Sequence, residues 1–280
     1  MYYYIVDPQK IPQREFERVQ NLLYSSVSEY RVSGEVVRVT GLRTINQLVE
    51  NALSHGAKTI VAVGSDDTLN DVINAVGRRE VVIGFVPIFP TEVGKILGIK
   101  SIEQAAKTLG GRRIAELDLG LVNKNFFVSK LSFGVYQPAG TGWMKSLDYK
   151  FFQNMVNMPS FDVKFSVDGK YQASLKVIGG MIVNSRDNAE GLANPTDGVL
   201  DVLLLSKLSK WDVFKFRKEI ISGDFEKIPG SSVIHVSRLE ISTPVGLPLK
   251  SAGRVIAKTP AVIEVMPKAL KIIVGKERKF

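Results

Sequence analysis

The chain has 280 residues, 45% of them hydrophobic and 23% charged, a balance typical of a globular protein and too apolar for a disordered one. It has no cysteine, which excludes disulfides, thiolate metal sites and a cysteine nucleophile, and its 2 histidines, His55 and His235, are too few for a multi-histidine zinc centre. Lys and Arg number 37 against 28 Asp and Glu, a net charge of +9, and residues 1–120 are balanced at 14 of each sign, so the whole excess lies in residues 121–280.

In chain order, the first 120 residues alternate strand and helix. Tyr2–Val6 reads as a strand. Pro12 then opens a helix with Phe16, Val19 and Leu23 on one face. Glu35–Val39 is a second strand. Thr44 and Gln47 form a capping box for a helix that buries Ile45, Leu48, Val49 and Leu53, and Gly56 closes it. Thr59–Val63 is a continuous apolar run, the mark of a strand covered on both faces. Leu69, Val72, Ile73 and Val76 mark the next helix, Val81–Val86 the next buried strand, and Ser101 with Gln104 caps a further helix. This alternation predicts a parallel sheet with helices on both faces.

The pattern changes near Asp118. Asp162–Val167 and Tyr171–Val183 read as strands flanking Asp168-Gly169, two residues that tolerate positive φ in a hairpin turn. Val199–Leu205, Val233–Ser242, Ala261–Val265 and Leu270–Val274 are further strands. One helix interrupts them around Trp211–Ser222, with Trp211, Phe214 and Ile221 as its expected buried face. The expected architecture is an α/β domain over 1–120 and a β-sandwich-like domain over 121–280. The charge asymmetry points to an anionic partner for the second: a membrane surface or a phosphorylated ligand. Nucleic acid is not expected, because the basic residues are scattered with no interleaved aromatic motif. A solvated lysine-rich face is the plainer alternative. No stretch approaches the roughly 20 apolar residues of a membrane span, and MYYYIVDPQK lacks the features of a signal peptide. A cytoplasmic protein, peripheral to the membrane at most, is the expectation.

The most informative segment runs from Thr59 through Gly64-Ser65-Asp66-Asp67-Thr68-Leu69-Asn70. A buried strand enters a small polar loop and then a helix, which sets backbone N–H groups at the sheet's carboxyl edge. That is a site for a phosphate, or equally a plain helix cap. It is neither the three-glycine dinucleotide fingerprint nor a Walker loop.

This segment resembles the G-G-D-G-T-(L)-N-E motif of the diacylglycerol-kinase-like soluble lipid kinases, which share a superfamily with the NAD kinases. Thr40 falls where that family has a nucleotide-contacting threonine. Val82-Ile83-Gly84-Phe85-Val86-Pro87 with Leu97-Gly98-Ile99, Asp118-Leu119-Gly120 with Phe126-Phe127, and Pro267-Lys268-Ala269-Leu270 match in order. Asn194-Pro195-Thr196-Asp197-Gly198-Val199-Leu200-Asp201-Val202 is similar to the P-x-x-D-G-L-L-D-V strand, which favours the lipid-kinase branch. The resemblance implies transfer of the ATP γ-phosphate to a lipid hydroxyl, with Mg²⁺. It implies nucleotide contacts at Thr40, Gly64, Ser65, Asp66, Asp67, Thr68, Asn70 and Thr91. It also implies a structural metal at Asp197 with the carbonyls of Leu200 and Val202. A homodimer is left open.

The departures fall on the chemistry. Ser65 and Asp67 replace two loop glycines, and glycine is what lets backbone approach a phosphate. A carboxylate facing a phosphate at about 4 Å costs on the order of 4 kcal/mol at an effective dielectric of roughly 20. The second loop reads Pro87-Ile88-Phe89-Pro90-Thr91-Glu92-Val93-Gly94, and the first Asp7-Pro8-Gln9-Lys10, where the family has N-P-x-S-G. The family's D-G-E segment, which carries the general base, reads Ala252-Gly253-Arg254, with neither acid. Arg254 is a candidate partner for Asp67 or for an anionic ligand. The expectation is a lipid-kinase-like protein with activity impaired or lost, or else a non-catalytic binder of lipid, nucleotide or protein.

Overall fold

The structure, a computed structural model, describes residues 1–134, 157, 159–186 and 194–280. It divides into two compact units: Met1–Leu119 with Ser185–Asp197 and Pro267–Phe280, and Gly120–Asn184 with Gly198–Met266. A single cut near residue 120 therefore omits two returns of the chain to the first unit. Such returns are short, and no local periodicity marks which core they join.

In the first unit, β1 (Tyr2–Val6), β2 (Gly34–Arg38), β3 (Thr59–Gly64) and β4 (Val82–Pro87) are parallel, in the order β2-β1-β3-β4. Helices α1 (Phe16–Glu29), α2 (Ile45–Ser54), α3 (Asp66–Val76), α4 (Glu92–Ile96) and α5 (Ile102–Gly111) follow the strands. Every residue of β3 is buried, as its unbroken apolar run requires. The caps form as their sequences dictate. Thr44 N donates to Gln47 Oε1 at 2.9 Å, and Gln104 N donates to Ser101 Oγ at 3.2 Å. The strand order reverses between β1 and β3, so the loops leaving these two strands diverge around a crevice, the usual ligand position in open α/β sheets.

The second unit is an antiparallel sandwich. One sheet runs β12 (Ser231–Val236), β11 (Leu200–Leu205), β10 (Gly179–Val183), β7 (Lys130–Gly134), β14 (Pro248–Ser251), β15 (Arg254–Lys258). The other contains β9 (Tyr171–Val177), β8 (Phe161–Val167), β13 (Arg238–Thr243) and the start of β16 (Ala261–Ile273), with β5 (Ile114–Val122) and β6 (Asn125–Phe127) paired at its side. Phe127, Phe133, Phe165, Ile182, Leu204, Leu239 and Ile263, drawn from both sheets, fill the core between them.

Four expectations are corrected. Tyr171–Val183 is two strands, because the chain changes sheets at Ile178 between β9 and β10. Val233–Ser242 likewise splits at Ser237. Asp168, from the β8–β9 turn, accepts the N–H groups of Ser237 (3.0 Å) and Arg238 (2.8 Å), which fixes that crossing. An apolar run looks the same whether it stays in one sheet or crosses to its partner. Third, Trp211 and Phe214 are not core residues. In α6 (Lys210–Lys215) and α7 (Arg217–Ser222) the buried positions are Val213 and Ile220, while Trp211 is 69% and Phe214 60% exposed; the Ile221 side chain lies outside the described residues. Ala261–Val265 and Leu270–Val274, read as separate strands, are covered by the single strand β16.

Gly120 stands opposite Phe127 in the β5–β6 pair, and a Cβ there would overlap the fully buried Phe127 ring. Gly120→Ala is expected to destabilise the protein by about 1–3 kcal/mol in urea unfolding. Pairing it with Phe127→Leu should cost less than the two single changes added together.

Candidate functional site

Four loops meet at the carboxyl edge of the first unit's sheet. They follow β1 (Asp7–Lys10), β2 (Thr40–Arg43), β3 (Ser65–Thr68) and β4 (Ile88–Thr91). The β1 and β3 loops border the crevice at the strand-order reversal, and side chains close it.

Thr68 is at the centre. It is fully buried, and its hydroxyl donates to Asp7 Oδ2 at 3.2 Å while accepting the Ser65 N–H at 3.3 Å. Asp7, also buried, accepts the Gln9 N–H on its other oxygen, Oδ1, at 3.1 Å. Gly64 is required for this packing, since a Cβ there would run into Thr68 Oγ1. The first loop glycine therefore serves the strand–helix approach whether or not a phosphate binds.

Asp66 and Asp67 occupy the first turn of α3, where the helix dipole favours negative charge. Asp66 Oδ2 accepts the Val93 N–H at 3.3 Å, and the Thr91 side chain also hydrogen-bonds it, tying the β3 loop to the start of α4. Thr91 is itself the N-cap of α4, accepting the Gly94 N–H at 2.9 Å. Burial raises the Asp66 pKa to about 6, against the opposing pull of the Thr91 and Val93 hydrogen bonds and with a further push from Glu92 and Asp67. Asp66 Oδ1 and Ser65 Oγ are out of contact with solvent and have no hydrogen-bond partner among the described residues. Asp67 Oδ2 takes a salt bridge from Lys10 Nζ at 3.1 Å. This pair joins the β1 and β3 loops directly across the crevice.

The structure thus brings Gly64, Ser65, Asp66, Asp67, Thr68 and Thr91 together. Asn70 is one turn further along α3, where its carbonyl accepts from Asn74 Nδ2 at 2.8 Å. Thr40 is exposed after β2, capping a turn through Arg43 N–H at 3.1 Å. The sequence reading missed Lys10 as the partner of Asp67. Its signal was present, since both residues are foreign to the resembled motifs, but only the adjacency of β1 and β3 shows that they meet.

In the remaining candidates, Asp197 ends a turn in the first unit, its N–H facing Asn194 O at 3.4 Å. Leu200 and Val202 lie in the second unit on β11, which is flanked by β10 and β12, so a cation there would share their carbonyls with the ladders. Asp201, between them, is buried and meets His235 Nδ1 at 2.5 Å across β12. No three His, Asp or Glu side chains among the described residues gather as a metal site. Ala252 and Gly253 are the positive-φ turn between β14 and β15, and Arg254 follows on the exposed face of β15.

Residues 3–122 match the diacylglycerol kinase catalytic domain, and residues 148–274 match the YegS C-terminal NAD kinase beta sandwich-like domain. The chain belongs to the diacylglycerol-kinase-like NAD kinase superfamily. It is 23% identical over 241 residues to the diacylglycerol kinase of Bacillus subtilis (strain 168), covering 78% of each chain. Among solved structures, a diacylglycerol kinase from Bacillus anthracis str. Sterne superposes with a TM-score of 0.78 at 17% identity, over 98% of this chain and 97% of that one. An NAD kinase from Archaeoglobus fulgidus in complex with ATP gives 0.56 at 14%, over 99% and 95%. These superpositions establish the fold, an α/β unit with a mostly parallel sheet joined to an antiparallel sandwich. The similarity to lipid kinases supports a kinase-like function and implies ATP with a divalent metal. No helix among the described residues is long and apolar enough to cross a membrane.

The β3 loop offers carboxylates where a phosphate would need donors. Asp67 is bonded to Lys10 of the β1 loop, and Asp66 to Val93 and Thr91 on the β4 side. The position of the third loop glycine carries a carboxylate bound to lysine, and the buried Asp66 Oδ1 can only accept a hydrogen bond or face a cation while it is ionised.

The raised Asp66 pKa has a definite sign. A carboxylate whose folded pKa lies above its unfolded value loses stability as pH rises from about 4 through about 6. The stability of the wild type relative to Asp66→Asn is therefore expected to fall by on the order of 2 kcal/mol between acid and neutral pH. Denaturant titrations across that window read the difference, and a flat difference would refute the assignment.

Proposed function

We propose that this protein is a divergent lipid-kinase-like protein in which transfer of the ATP γ-phosphate to a lipid hydroxyl is strongly impaired or lost. The observation that carries this reading is the Lys10–Asp67 salt bridge across the crevice between the β1 and β3 loops. It fills the position where the family's glycine leaves room for phosphate. The missing acids at Ala252 and Arg254 support the same reading, because a positioned general base contributes roughly 10²–10⁴-fold to catalysis. What remains is a scaffold that binds lipid, nucleotide or a protein partner without turnover. The competing reading, a working kinase, draws on Asp66, Thr68, Asn70, Thr91 and Asp197, which keep their family identities.

Two measurements separate these readings. In calorimetric titration with ATP and Mg²⁺, the wild type should bind no tighter than the millimolar range. Replacing Asp67 with Gly should tighten binding at least about tenfold, since removing one repulsive unit charge at close range is worth several kcal/mol and leaves Lys10 to meet the phosphates. In a mixed-micelle assay with diacylglycerol, the wild type should stay at background. The chain carrying Asp67→Gly, Ala252→Asp and Arg254→Glu should rise by about 100-fold or more, on the scale of a restored general base. Asp is well suited to the left-handed backbone at position 252, so that change is conformationally mild. Micromolar ATP binding with turnover by the wild type would overturn the proposal.

A further inference from the structure

The helical segment between β11 and β12 has two faces of opposite character. Its inner face is complete: Leu208, Val213, Ile220, Phe225 and Ile228 are all buried. Trp211 and Phe214 are therefore surplus to the core. They stand 69% and 60% exposed, with ring centroids 6.1 Å apart, as one continuous aromatic patch. Five basic side chains surround it. Lys207, Lys210, Lys215, Arg217 and Lys218 are all exposed, and the Arg217 guanidinium lies 4.9 Å over the Phe214 ring. Within these 12 residues Asp212 is the only acid, and the Ser209 hydroxyl donates to its carboxylate at 2.6 Å. The stretch carries a net +4 of the chain's +9.

Indole and phenyl rings beside lysines and arginine match the boundary of a lipid bilayer. The rings enter the headgroup level, and the flexible basic side chains reach anionic headgroups while their stems stay apolar. We propose that Lys207–Lys218 is an interfacial anchor that docks the second unit onto a bilayer rich in anionic lipid. The basic collar selects that occupant, because a second copy of this positive face would meet it with like charge. The inference deepens the lipid-kinase-like reading, yet it concerns binding alone and is measured without ATP. Turnover by the wild type in the micelle assay and loss of vesicle binding are thus separate results.

The experiment is flotation of the full chain with vesicles of phosphatidylcholine alone or mixed with phosphatidylglycerol. The chain has 2 tryptophans, so Trp143→Phe leaves Trp211 as the only indole emitter. The expected result is flotation with the anionic vesicles only, release at high salt, and a blue shift with loss of acrylamide quenching for Trp211. Trp211→Ser with Phe214→Ser should weaken partitioning by about tenfold or more. Lys210→Gln and Lys215→Gln should each weaken it roughly fivefold. Should the double aromatic variant fold poorly, the Trp211 emission of the Trp143→Phe chain still decides. No flotation, equal flotation with neutral vesicles, or unchanged Trp211 emission would overturn the proposal. So would a dimer in light scattering that the aromatic substitutions dissociate while vesicle binding persists, for the patch would then be an interface between copies.

Discussion

The close approach of the β1 and β3 loops governs the first unit. The parallel order β2-β1-β3-β4 makes these strands neighbours and sends their following helices to opposite faces. Gly64 allows α3 to start hard against the strand end, and Thr68 then reaches Asp7. Each carboxylate on these loops finds a donor: Asp7 from Thr68 and Gln9, Asp66 from Val93 and Thr91, Asp67 from Lys10. The Lys10–Asp67 pair adds little stability as such. Its side chains are 33% and 14% exposed, and partly exposed ion pairs contribute at most about 1 kcal/mol. Its consequence is occupancy. It puts charge and bulk between the β1 and β3 loops.

The two foreign residues are coupled by geometry. The carboxylate at 67 stands beside Asp66, and its charge adds to the push on that group. Lys10 relieves that repulsion from the neighbouring loop. Burial, more than the neighbouring charges, raises the Asp66 pKa to about 6, and Asp66 Oδ1 has no hydrogen-bond partner among the described residues. The β1 and β3 loops thus present carboxylates at the sheet's carboxyl edge, with Asp67 paired to Lys10 and Asp7 and Asp66 held by neutral donors.

The second unit keeps its sandwich and alters its surface. Its core draws on both sheets, and the crossing at Ser237 is pinned by Asp168. On that scaffold the β14–β15 turn presents Ala252 and Gly253 at positive φ, a geometry that would hold an acid as readily as alanine. The turn would therefore accept an acid at 252 with no change of backbone. The aromatic and basic face of α6 and α7 likewise costs the core nothing, because Val213 and Ile220 already fill the inner side.

The sequence by itself determined the elements whose cause is local. The unbroken run of β3, the capping residues Thr44 and Ser101, the Asp168-Gly169 turn and the order of the family motifs were all readable. The tertiary structure decided what depends on strand order and on which face meets a partner. It broke the apolar runs at Ile178 and Ser237, where the chain changes sheets. It turned Trp211 and Phe214 outward, because helical spacing defines a face without saying which side the core takes. It also set Lys10 against Asp67, residues 57 apart in sequence, because only two parallel strands lying side by side bring the loops that follow them within reach of an ion pair.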